Sequence, residues 1–502
     1  MRAGRFIAAV ALGLLAAGAG CARRDAAVAG VQEAVPIHEA AAIEARGFAA
    51  SNVGYVLRDL DSGRTLAAHN SNAPFIPASV AKVPTAVAAL EVLGGAHRFR
   101  TSVRAKGEIE AGVLQGDLVL VGGGDPLLGP DGLLALCRAL HRNGLRRVDG
   151  RFLHDESLYA TRTAIRAAQP QDAQYNPGVS ALSLDFNRLR VAWQGGGRNG
   201  AVTGYTVPPL QGIGLEPSAV PDTAHRWKAE IGADGTNWRL HVNAAESGET
   251  WLPVKRPGRV TAQVFRRLCG RVGVALPAPE PGTAPPDAPV LAAHRSQPLA
   301  AVMQGMLRYS NNLVAELVGL ATGWRLTGEA VTLARSARAM RRWWGDRLPE
   351  VDWSGYVQHN HSGLDASGRA TPAQIAAILD FAEGRGYADG QGNTRGLPDL
   401  LPAAGWEHGL GGRLQQPATA LAVWAKTGTM HYASALAGYL YPGNGRRLAF
   451  AIFVGDLAQR RAYDAAADRD GKAWRARVTA WRRRAKALEA DLIAYWATTF
   501  SG

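Results

Sequence analysis

Cysteine is scarce in this chain: three residues among 502, and no two of them stand as Cys-x-x-Cys. A thiolate zinc site of ordinary spacing is thereby excluded. Acidic residues are in deficit, with 42 Asp and Glu against 56 Lys and Arg and a formal charge of +14. Such a surface suits an anionic partner, unless it only reflects a GC-rich genome writing arginine. The Arg-rich segments do not alternate with aromatics, so a single-strand nucleic-acid platform is excluded and no nucleic-acid partner is expected. Gly122-Gly-Gly124 is not followed by Gly-Lys-Ser/Thr, which excludes a phosphate loop. His359-Asn-His361 lacks further ligands at metal spacing and reads as a polar loop. No metal or organic cofactor is expected. No repeat of fixed period is found.

Long apolar runs are also missing. Phe6 to Leu15, after Arg2 and Arg5, is too short for a stable membrane span. With the small residues that follow, 1–20 reads as a signal peptide. Gly18-Ala-Gly-Cys21 resembles a bacterial lipobox, although Gly18 replaces the usual larger aliphatic. Cys21 is therefore a lipidation candidate, and 21–36 reads as a tether to membrane. The alternative is a plain cleavable signal. Cys137 and Cys269 each sit among apolar residues at helical spacing. Two buried thiols are the default for such positions; a disulfide is open to them in an oxidising compartment.

The first substantial feature downstream is a hairpin, Val53 to Leu60 and Arg64 to His69 around Asp61-Ser-Gly63. A second hairpin is expected from Ala433 to Leu440 and Arg446 to Val454. From Ala78 to about Leu93 the pattern is a buried helix, with Pro84 predicting a kink or a tightened turn. The last helix carries Trp474, Val478, Trp481, Leu488, Leu492 and Tyr495 on one stripe, with Arg482, Arg483, Arg484 and Lys486 off it. It reads as a terminal helix packed on a sheet, with a membrane-surface helix as the rival.

Three short motifs carry chemistry: Ser79-Val-Ala-Lys82, Ser310-Asn-Asn312 and Lys426-Thr-Gly428. Each alone is common. Together and in this order they point to serine acyl transfer of the penicillin-recognising type. Ser79 and Lys82, three apart on a helix, share a face. A serine hydroxyl needs a base, and a lysine becomes one when burial or a second cation, here Lys426, lowers its pKa. Ser310 and Asn312 fall on a turn between two helical patterns, suited to proton relay and to holding an amide or amine. Lys426 and Thr427 open a strand fit to bind a carboxylate, and Gly428 permits close approach. The N–H groups of Thr429 and Ser79 are candidate oxyanion donors. The 231 residues from Ser79 to Ser310 leave room for a whole inserted domain. It reads mainly as strand: Gly116 to Val121, Leu182-x-Leu-x-Phe186 and Trp238-x-Leu-x-Val242. The Pro-rich Pro277 to Pro289 marks its exit.

From about Val53 to Asp456 the chain resembles the low-molecular-mass class C penicillin-binding proteins, the D-alanyl-D-alanine carboxypeptidase/endopeptidases. Besides the trio, the matching segments are Phe75-Ile-Pro-Ala-Ser79, Gly116 to Asp125, Ala181 to Asn187, Ser310 to Glu316, Ser362-Gly-Leu364 with Thr371-Pro372, and Leu436 to Tyr439. Two positions depart from the family pattern: Asn360-His361 stands for Asp-Gly, and Asp365 for a serine. The resemblance implies a multidomain α+β penicillin-recognising transpeptidase-like fold. It has a five-stranded antiparallel sheet flanked by helices, an all-helical region and a large β-rich insertion. The catalytic domain is expected over 37–98 and 285–502, with 99–284 inserted.

The implied roles are Ser79 as nucleophile, Lys82 as base, Ser310, Asn312 and Lys426 as catalytic partners, and Thr427, Gly428 and Thr429 as the substrate strand. The implied partners are peptidoglycan stem peptides, with β-lactams as covalent inhibitors, in an exported, periplasmic, membrane-tethered lipoprotein. A β-lactamase on the same scaffold and a non-catalytic murein-binding protein are the rivals. In the family the insert supplies part of the pocket for a diaminopimelate side chain. Here Asp155, at the end of the strand Val148 to His154, is the candidate for its ammonium, unless it only bonds its own turn.

Overall fold

The computed structural model describes residues 37–501 apart from 196–201, 211–213, 221–226, 233–234, 244–245, 407–408 and 470. The signal segment and Cys21 lie outside the described residues.

The central sheet has five antiparallel strands in the order Val423–Met430, Ala433–Leu440, Leu448–Gly455, Val53–Asp59, Thr65–His69. Its two central strands alternate between two cores, as a period of two demands when both faces are covered. Ala435, Ala437, Tyr439, Ala449, Ala451 and Phe453 face the helical region, while Leu436, Leu440, Phe450, Ile452 and Val454 face the terminal helix. The terminal helix, Lys472–Thr499, buries Val478, Trp481, Leu488 and Leu492 there, so its apolar stripe belongs to the sheet and not to a membrane. No described helix is long and apolar enough to cross a membrane.

On the other face lies helix Lys82–Leu93, buried along Val83 to Leu90 and surrounded by Leu299–Tyr309, Asn312–Thr327 and Pro372–Glu383. The tightened turn expected near Pro84 comes just before it: residues Ala78–Ala81 form a 3₁₀ turn, and the α-helix starts at Lys82. Pro84 then occupies the first helical turn, where a missing N–H costs nothing.

The insert is built on a sheet ordered Pro279–Pro281, Phe152–Asp155, Val113–Val121, Arg100–Glu110, Val290–Arg295. The last of these strands lies beyond the expected boundary at 284, so the insert's sheet runs on to Arg295. The strand expected over Leu182 to Phe186 is replaced by a turn with Asp185, Phe186 and Asn187 all at positive φ. Asn187, fully buried, ties that turn to Gly178 O at 2.8 Å. The expected strand over Trp238 to Val242 is present, within Asn237–Asn243.

Cys137 and Cys269 are joined in a disulfide, with Cα atoms 4.9 Å apart. The default of two free thiols is thus corrected. Helices Pro130–Arg142 and Pro257–Arg271 pack side by side, which brings the two cysteines into register.

Candidate active site

The 3₁₀ turn sets Ser79 where the helix begins, preceded by Ala78 at φ +45°. Lys82 is wholly buried. Its Nζ lies 3.0 Å from Ser79 Oγ, 2.8 Å from Asn312 Oδ1 and 2.8 Å from the Ser362 carbonyl. The last two are acceptors only in this setting. A neutral amine gives its two N–H bonds to them and keeps its lone pair for the Ser79 hydroxyl. Burial, and then the charge of Lys426, hold the Lys82 amine well below its ordinary pKa, with Glu316 opposing. The amine is therefore aimed at the hydroxyl, and its surroundings favour the neutral form that a base requires.

Asn312 begins the helix Asn312–Thr327, capped by the Asn311 side chain on Val314 N at 3.1 Å. Its Nδ2 donates to the Tyr175 carbonyl at 3.0 Å. That carbonyl accepts only, which fixes the amide with Oδ1 toward Lys82. Ser310 closes the preceding helix in the left-handed region, φ 55°, and faces the cleft.

Strand Val423–Met430 is an edge strand, lying against the nucleophile turn. A Cβ on Gly428 would stand 2.6 Å from Pro77 O and 3.2 Å from Ser79 N, so only glycine fits there. Lys426 is enclosed, its Nζ donating to the Thr427 carbonyl at 2.7 Å, and burial pulls its pKa down to about 7. Thr429 is exposed and lines the cleft, whereas Lys426 is buried, Thr427 is half-buried, and neither is among the lining residues. The cleft, of about 770 Å³, is also lined by Ser79, Asn312, Gly363 and Leu364.

Sequence reasoning missed Glu316. It is fully buried one helical turn after Asn312, and its carboxylate accepts from His361 N at 2.9 Å and Ser362 N at 3.1 Å. It thereby holds the Ser362 carbonyl toward Lys82. Burial pushes its own pKa up. The signal was legible: a single acid in an otherwise apolar stretch from Leu313 to Ala321. Gly363, at φ +75°, would place a Cβ 1.8 Å from Ala78 O, so this loop is pressed onto the nucleophile turn.

His361, at one of the departures, lies in a loop as read, but a buried one. It is buried, its Nε2 is 2.9 Å from Ser336 Oγ, and burial lowers its pKa to about 3, which keeps it neutral. Asp365, the other departure, accepts from Ser367 N at 2.9 Å and pairs with Arg166 of the insert at 3.0 Å.

Asp155 is not brought to the cleft, which corrects the reading of it as a ligand for a substrate ammonium. It is buried, and its two oxygens accept from Ser157 N at 2.9 Å and Ala284 N at 2.8 Å. Each oxygen serves a backbone donor of its own turn or of the insert, and the buried side chain is not among the residues lining the cleft.

A family model described as D-Ala-D-Ala carboxypeptidase 3 (S13) matches residues 39–477, and the chain belongs to that family. It is 29% identical over 432 residues to a D-alanyl-D-alanine carboxypeptidase of Actinomadura sp. (strain R39), covering 80% of this chain and 77% of the relative. It is 23% identical to the D-alanyl-D-alanine carboxypeptidase DacB of Haemophilus influenzae, covering 82% and 88%. The crystal structure of penicillin binding protein 4 (dacB) from Haemophilus influenzae matches with a TM-score of 0.74 at 21% identity, over 84% of this chain and 95% of that one. The fold is thus the penicillin-recognising one, and the chain is a serine-type peptidase of the class C penicillin-binding proteins.

Proposed function

We propose that this chain is an exported DD-peptidase that cleaves D-Ala-D-Ala ends or D-Ala cross-links of peptidoglycan through an acyl-enzyme on Ser79. The observation that carries the reading is the buried Lys82 amine 3.0 Å from Ser79 Oγ, with its two N–H bonds already committed. Ser79 Oγ attacks the carbonyl carbon between the two D-Ala residues as Lys82 takes its proton. The N–H groups of Ser79 and Thr429 receive the oxyanion. Ser310 passes a proton to the leaving amine, D-Ala departs, and water then releases the shortened peptide from Ser79. Thr427, Gly428 and Thr429 form the strand along which substrate lies, and Lys426 supplies positive charge beneath it. A β-lactam enters the same path, opens its ring on Ser79 and stays.

Slow release of the β-lactam is favoured over rapid turnover. Among the described residues the one carboxylate lining the cleft, Asp464, is held by Arg460 at 2.7 Å. Among the described residues that line the cleft, no free carboxylate stands ready to activate a deacylating water, as Glu does in class A β-lactamases. Export fits the cell-wall chemistry of the relatives, and Cys21 remains the proposed lipid attachment.

The test is incubation with a fluorescent penicillin and with a pentapeptide muropeptide and its cross-linked dimer. A long-lived adduct with loss of D-Ala or of the cross-link is expected, and Ser79→Ala is expected to lose both. Rapid penicillin turnover without peptide cleavage would make the chain a β-lactamase; no reaction with either would make it a binder.

A further inference from the structure

One end of the cleft is not accounted for by the peptidase chemistry. Beyond Thr429, the wall is made by helix Leu457–Ala465 and the start of the terminal helix, and it carries Arg460, Arg469, Arg475 and Arg482. Asp464 is the one acid among the described residues of that wall, and Arg460 already holds it at 2.7 Å. Arg469, Arg475 and Arg482 have no acidic partner among the described residues. Arg482 is half-buried, and burial lowers its pKa without the compensation of a nearby carboxylate. Its Nε reaches only the Met430 carbonyl, at 3.4 Å, on the substrate strand itself.

The wall gathers like charges at a concave surface, where field lines are focused. The helix does not need them for folding. Its apolar stripe is satisfied by Val478, Trp481 and Leu488 against the sheet, and arginines placed on the solvent side would serve solubility as well. They overhang the nucleophile's cleft instead.

We propose that these arginines form a carboxylate-binding subsite, which selects stem peptides whose side-chain and main-chain carboxylates are free over peptides in which they are amidated. This rests on the DD-peptidase reading and adds the substrate form to it. A guanidinium matches a carboxylate through two parallel N–H bonds, and several of them in one wall suit a peptide bearing more than one such group. Arg475 and Arg482 stand closest in sequence to the helix stripe that anchors the wall. They are the residues to change.

Binding is measured on Ser79→Ala, so that it does not depend on turnover. Two pentapeptides are titrated, one with free carboxylates on its second and third residues and one with both amidated, at low and at high salt, with pyrophosphate as a competing anion. The free acid is expected to bind about tenfold or more tightly, and the margin to shrink with salt. Arg475→Gln with Arg482→Gln is expected to erase the margin, and Arg475→Lys with Arg482→Lys to restore part of it. Thermal melting checks that each variant is folded. Equal binding of the two peptides, or a margin that survives the Gln pair, would overturn the proposal. So would pyrophosphate binding more tightly than the acid peptide, which would assign the wall to a phosphate-bearing ligand. If the subsite behaves as expected but the parent enzyme cleaves neither peptide, the subsite stands and the peptidase reading falls.

Discussion

Asn312→Asp tests the base at the centre of the mechanism. The new carboxylate oxygen would stand where Oδ1 now lies, 2.8 Å from Lys82 Nζ. A unit charge at that distance favours the ammonium by about 6 kcal/mol at an effective dielectric of about 20. At 1.36 kcal/mol for each unit of pKa, that is a rise of about four units. The carboxylate's own desolvation opposes it, as burial already does at Glu316, and we expect a net rise of about two units. The sign is definite. Neutral Lys82 is the active form, so the rate climbs as pH rises through its pKa, and raising that pKa moves the climb to higher pH. The assay is the acylation rate with a fluorescent penicillin, followed from acid to alkaline solution. Asn312→Asp should be slow at neutral pH and recover in alkali. Asn312→Ala, which removes an acceptor without adding charge, should be slower by about tenfold or more at every pH, with no alkaline displacement. An Asp variant whose profile rises where the parent's does would refute Lys82 as the base.

Gly428→Ala should cut acylation by about a hundredfold, because its Cβ meets Pro77 O at 2.6 Å and drives the strand off the nucleophile turn. Acylation at the parental rate would show that the strand's approach is not required. Replacing Cys137 and Cys269 by alanine should lower the stability of the insert by about 2–4 kcal/mol in denaturant titration, and reductant should reproduce the loss in the parent. A midpoint indifferent to reductant would mean that the pair is not bonded in solution. At the N-terminus, mass spectrometry of the mature protein should find acyl chains on Cys21, and an unmodified start further downstream would exclude the anchor.

The motifs were legible because their chemistry is local. Ser79 and Lys82 share a helix face by spacing alone, and a glycine in a strand edge announces close approach. The two hairpins and the terminal helix followed from period and turn residues. What was not legible depended on elements far apart in the chain. The Cys137–Cys269 bond exists because two helices of the insert lie side by side, and neither helix's own pattern names its neighbour. Asp155 looked free because it ends a strand, but the N–H of Ala284, from the far end of the insert, takes one of its oxygens. The helix pattern placed Arg482 off the apolar stripe and said nothing of what it would face. Only the path of Leu457–Ala465 beside it makes that residue part of a cleft wall.

Burial explains why this site needs more than its motif residues. Lys82, Lys426 and Glu316 are all enclosed, two amines and one carboxyl group buried together. Burial lowers both amines and raises the acid, so each group is pushed toward its neutral form. The direction of these shifts favours an amine able to accept a proton over a full-strength ammonium. That poise is what a serine nucleophile requires of its base. It depends on acceptors holding the amine in line, and three of the residues involved come from outside the trio. Ser362 supplies a carbonyl from a loop that Glu316 fixes, and Tyr175 of the insert fixes the amide of Asn312. The insert is therefore joined to the proton path through one carbonyl at 3.0 Å, and a change in how it seats over the cleft reaches Lys82 through a single side chain.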